Sequence, residues 1–165
     1  ARLRGTSTQQ SSTATATAIA QSMSQIGRPW HPVTLPASPS PTALDNVDVL
    51  LIEAQTGSGD EAQTTGTSWA MTIDLFLQRG GVAIVLEGAG GVSHRFAQGA
   101  GLYTVASPID ATNVPAFVAN AGDALAQQVV SPYLAEMSSV TFPGVGSPVV
   151  ATMAGATVVF HQTRY

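Results

Sequence analysis

Glu53 and Glu87 each follow a short apolar run, VDVLLI and VAIVL. Two carboxylates at neighbouring strand ends are the residue types for general acid–base chemistry or for holding a hard cation. Read as an enzyme, the chain would work through Glu53, Glu87 and His94. Asp60 and Glu61, in the stretch GSGDE, would add oxygen donors, although the alternating acidic pattern of a calcium loop is missing. Gly88, Gly90 and Gly91, ahead of Ser93 and His94, would offer backbone N–H groups to a phosphate or another small ligand. The same residues have a structural reading: the two glutamates cap helix N-termini or pair with Arg95, and GAGG is a tight turn built from small residues. Ser93 and His94 are adjacent, and adjacent helical residues do not face each other, so they make no nucleophile–base pair. No G-x-S-x-G elbow occurs. His31, His94 and His161 lack the i, i+4 spacing of a helical metal site. Neither a metal nor a cofactor is expected.

The elements that must position these residues follow from hydrophobic periodicity. Residues 47–54 and 82–87 read as strands that are apolar on both faces, as buried parallel strands are. Between them an amphipathic helix is predicted from Thr67 or Ser68, with Met71, Leu75 and Phe76 on its apolar face and Gly80–Gly81 at its end. Strand, helix and strand make a β-α-β crossover, and binding in open α/β sheets gathers at the carboxyl ends of such strands. Upstream, residues 1–10 form a short first strand or an arm. Ser11 or Ser12 caps a helix over 14–26 with Ala16, Ile19, Ala20, Met23 and Ile26 on one face, and Gly27 stops it. Residues 28–35 read as an edge strand and 36–42 as a proline-stiffened loop. Downstream the pattern predicts a helix over 92–98, a strand over 102–106, two short helices within 113–128 and a strand over 140–142. A hairpin pairs 149–152 with 156–162.

The 165 residues fit one domain, 1–165. Charged residues make up 10%, against roughly 25% in a usual soluble domain. All six basic residues are arginine, and cysteine is absent. The missing cysteine excludes disulfides, a thiol nucleophile and a thiolate metal site. A net charge of −4 without a basic stripe argues against a nucleic-acid partner. No apolar run reaches the roughly 18 residues of a membrane span. A start at Ala1, few charges and many Ser/Thr residues lead to the expectation of an exported protein, extracellular or at the cell surface, whose signal has been removed.

The stretches VDVLLIEA, FLQRGG, VAIVLEGAGG and the tail GSPVVATMAGATVVFHQ, in that order, resemble the class I glutamine-amidotransferase-like superfamily, which includes trehalose-utilisation (ThuA)-like proteins. The resemblance covers about residues 43–162. It implies an α/β, three-layer flavodoxin-like fold with a mainly parallel sheet and a C-terminal antiparallel hairpin. It also implies a cysteine on the turn after the strand ending in Leu86, and a late His-x-Glu pair. This chain has Glu87, Gly88 and Ala89 at the turn, and His161 is followed by Gln162 and Thr163. Glutamine hydrolysis by that mechanism is excluded, and fold alone does not supply a function. The expectation is a non-catalytic, exported structural or binding subunit, a pseudoenzyme that self-associates into an oligomer or filament. Arg2, Arg4, Trp30 and Tyr165 are its candidate interface residues, with the arm and the hairpin adding to a neighbour's sheet edge. The alternatives are a carboxylate- or metal-assisted hydrolase and a carbohydrate- or small-ligand-binding module at the strand ends.

Overall fold

A computed structural model of the chain describes residues 1–5, 7–33, 35, 39–135, 138–163 and 165. Thr34 and residues 36–38, parts of the expected edge strand and proline loop, lie outside the described residues. The chain forms two compact units, Ala1–Glu87 with Gly91–Tyr103, and Gly88–Gly90 with Thr104–Tyr165. It is mixed α/β, with a parallel three-stranded sheet in the first unit and antiparallel sheets in the second.

In the first unit the order of elements is β1 (Arg2–Leu3), α1 (Gln9–Gln25), β2 (Val49–Ile52), α2 (Gly59–Gln78), β3 (Val82–Val85) and α3 (Ser93–Gly99). The sheet order is β1-β2-β3, with Leu3 beside Ile52 and Ile52 beside Val85. The first ten residues therefore do supply a short strand. The β2-α2-β3 crossover is present as expected. Side chains alternate along β2. Leu50 and Ile52 are fully buried and join Trp69, Ile73, Phe76 and Phe96 in the core, so α2 and α3 cover that face.

α2 begins at Gly59, a full two turns before the expected Thr67. Ser58 is its N-cap and accepts from Glu61 N, and Asp60 and Glu61 sit in the first turn, where the helix dipole favours acids. Its buried residues, Ala62, Gly66, Trp69, Thr72, Ile73 and Phe76, keep a three-four spacing. Of the expected apolar face only Phe76 is buried; Met71 is 64% exposed. The glycines hid the early start. Gly66 is not a helix breaker here, because a Cβ on it would lie 2.1 Å from Phe96 O, and one on Gly99 would lie 2.1 Å from Gln63 O. The two helices touch backbone to backbone, and only glycine permits it.

α1 also starts earlier than expected, at Gln9, so Ser11 and Ser12 lie inside the helix and do not cap it. Gly27 ends that turn at φ 64° with Arg28 N bonded to Met23 O. Among the described residues of 28–35 and 102–106 no strand forms. Leu102 instead closes the end of α3 through a bond from its N–H to Ala97 O and packs into the core.

The second unit contains β4 (Ile109–Asp110), β5 (Val114–Val118), a 3-10 turn (Ala124–Ala126), β6 (Tyr133–Ala135), β7 (Val140–Thr141), β8 (Val150–Thr152) and β9 (Thr157–Val159). Four strands pair antiparallel in the order β6-β5-β8-β9, and β4 pairs with β7. The C-terminal hairpin is β8–β9. Two short helices within 113–128 are replaced by β5 and the 3-10 turn. Val114, Ala116 and Val118 alternate with period two, and Ala116 and Val118 pack with Val149, Val150 and Val159.

Candidate functional site

The sequence places a site at the carboxyl ends of β2 and β3, and the structure divides those residues into separate groups. Leu86 N donates to Ile52 O at 2.9 Å, so the ladder runs one step beyond β3 and sets Glu53 beside Leu86. Alternation sends Glu53 to the face of Leu51 and Glu87 to the face of Val85.

Glu53 is fully buried. A carboxylate withdrawn from water needs a cation or donors, and β1 supplies the cation: Arg2 forms an ion pair with Glu53 Oε1. Ser12, buried in the first turns of α1, donates from Oγ to the same oxygen at 3.3 Å, and Arg2 Nη2 donates to Ser12 Oγ at 2.9 Å. Arg2 thereby ties strand, helix and acid together. Glu53 Oε2 and Arg2 Nε find no hydrogen-bond partner among the described residues.

Glu87 is engaged differently. It accepts from His94 N at 2.8 Å and from Ser93 N at 3.4 Å, which caps the start of α3. His94 Nδ1 lies 2.9 Å from the same carboxylate, and since a carboxylate only accepts, this nitrogen carries the proton. The neighbouring Tyr103 phenol is held well above its usual pKa, first by burial and then by the Glu87 charge. Ser93 Oγ accepts from Gln55 N at 2.8 Å, away from the imidazole. Gln55 O in turn accepts from Val92 N, and the Gln55 amide donates to Arg4 O at 2.9 Å. Gln55, Ser12 and Tyr103 were not singled out from sequence as site residues. The available signal was Glu53 itself: an acid ending an apolar run must find a partner, and Arg2 stands on a neighbouring short strand.

Glu87, Ser93 and His94 are thus brought together, while Glu53 belongs with Arg2 and Ser12. Asp60 is 96% exposed at its side chain and lies 3.7 Å from Arg95, and Glu61 is exposed beside it. No three His, Asp or Glu side chains among the described residues gather as a metal-ion site. Gly88 and Gly90 belong to the second unit, where Ala89 N donates to Ser138 O, and Gly91 belongs to the first. An anion approaching the first N–H groups of α3 would meet the Glu87 carboxylate already there.

The expected interface residues also separate. Arg2 is committed to Glu53, Arg4 donates to Gln9 Oε1 at 2.7 Å, Trp30 is half-buried and Tyr165 is 66% exposed. In the second unit His161 Nδ1 lies 2.9 Å from Asp123, whose carboxyl is held below the usual range by that bond and by the N–H of Leu125. No helix among the described residues is long and apolar enough to cross a membrane. No protein-family model, curated protein or solved structure matches this chain.

Proposed function

We propose that the chain is a non-catalytic, exported structural or binding subunit on a flavodoxin-like, glutamine-amidotransferase-like scaffold, and that it self-associates. One observation carries the loss of catalysis: both strand-end carboxylates are engaged inside the fold, Glu53 by Arg2 and Ser12, Glu87 by the N–H groups of α3 and by His94. Neither is left to act on a substrate, and no cysteine exists to replace them. The scaffold reading is supported by strand order. A flavodoxin-like sheet runs 2-1-3-4-5, and β1-β2-β3 would fill its positions 1, 3 and 4. Self-association is supported by sparse charge, which leaves little repulsion between copies. Export rests on composition alone.

The reading is tested by Glu53→Gln and Glu87→Gln. Both variants are expected to melt earlier while the mass of the particle in solution stays the same. A hydrolytic activity that disappears in either variant at unchanged melting temperature would overturn the reading. That outcome would favour the second one, a hydrolase in which Glu87 orients His94 as a general base, a role for which the 2.9 Å Nδ1 bond is suited.

A further inference from the structure

Parallel sheets are normally covered on both faces. The face of this sheet that carries Leu51 and Glu53 is covered only in part. Alternation and register put Val49, Val82 and Ile84 on it together, and they are 42%, 52% and 43% exposed, whereas Leu51, between them, is 7% exposed. α1 lies on the same face, held through Ser12 to Glu53. Thr15, Ala16, Ile19 and Met23 are half-buried along one side of it, and the rest of its described length faces solvent apart from Ser12. Its 17 residues, QQSSTATATAIAQSMSQ, contain no charged side chain. An uncharged helix, anchored through Ser12, and an apolar strip therefore share one open sheet face.

We infer that this face, α1 together with the Val49–Val82–Ile84 strip, is the surface by which one copy of the chain docks on a second copy across a two-fold axis. The inference rests on the self-association reading and names its surface. Interface cores are depleted in charge, and a two-fold contact brings each surface against itself, so a neutral patch meets no like-charge penalty there. A charged partner would gain nothing from it. α1 is about 26 Å long at 1.5 Å per residue, and helix plus strip are about 20 Å wide, so two copies would bury about 1,000 Å², the lower limit for a specific interface. Each α1 would lie against the other copy's strip and cover the β-branched side chains that copy's sheet leaves bare. The expected arm contact through Arg2 is not used, because Arg2 is bound to Glu53 within its own chain.

The test is size-exclusion light scattering of the whole chain from micromolar to millimolar concentration. Ile84→Lys, Ala18→Arg and a control in the second unit, Met153→Lys, run beside it. All three positions are exposed, and circular dichroism checks the fold of each variant. The expected result is a dimer for the parent chain and the control. Ile84→Lys and Ala18→Arg each raise the dissociation constant about tenfold or more, the effect of bringing an unpaired charge into an interface. Should Ile84→Lys alter the fold, Ala18→Arg on the outer side of α1 decides. An assembly that both charges leave intact overturns this surface while self-association stands. A monomer at every concentration overturns both.

Discussion

Removing the cation from a buried pair costs more than the pair itself contributes, because the acid left behind keeps its desolvation penalty. Arg2→Ala is therefore expected to destabilise the chain by about 3 kcal/mol in urea unfolding, since Glu53 is fully buried and Ser12 alone cannot replace the guanidinium. Arg2→Met combined with Glu53→Leu should recover most of the loss, as apolar replacement of buried pairs commonly does. A single Arg2→Ala variant as stable as the parent would mean the pair is not buried in solution. Tyr103 gives a pH prediction. Its pKa is raised in the fold by burial and by Glu87, so its contribution is complete below the unfolded value of about 10 and is lost as pH rises past it. Stability should fall above about pH 10, and Tyr103→Phe should flatten that alkaline slope in melting curves. At this scale the sequence pointed to Glu53 and Glu87 as unusual residues. Helix capping, one of the readings the sequence offers for these acids, is what Glu87 does at the start of α3. The partner of Glu53 is not legible, because Arg2 reaches it across a strand pairing.

The elements that were legible are those whose pattern is local. VLLI and VAIV are continuous apolar runs, and they form β2 and β3; Met153-Ala154-Gly155-Ala156, with its glycine, makes the β8–β9 turn. The start of α2 was not legible, since Gly59 and Gly66 carry low helix propensity and their reason for being there is a neighbouring helix. Gly66→Ala should therefore behave opposite to its helix propensity. The added methyl would meet Phe96 O at 2.1 Å, and a loss of about 3 kcal/mol in chemical unfolding is expected in place of a gain. A neutral or stabilising Gly66→Ala would show that α2 and α3 do not approach this closely. β5 is hidden in the sequence for a related reason: alanines and a proline in VPAFVANAG obscure the period of two that Val114, Ala116 and Val118 follow.

For the whole molecule, sparse charge and the missing cysteine narrowed what the chain can do, but they left its partners open. The parallel order β1-β2-β3 gives the β2–β3 carboxyl ends that a ligand would use, and internal hydrogen bonds fill them. Open surface lies instead along the sheet face beside α1, a feature invisible in sequence because Val49, Val82 and Ile84 read as core residues. The most direct measurement is the mass of the parent chain by light scattering across a dilution series. A particle of twice the 16.8 kDa chain mass that dissociates on dilution is the predicted result, and a 16.8 kDa particle at every concentration would contradict the account.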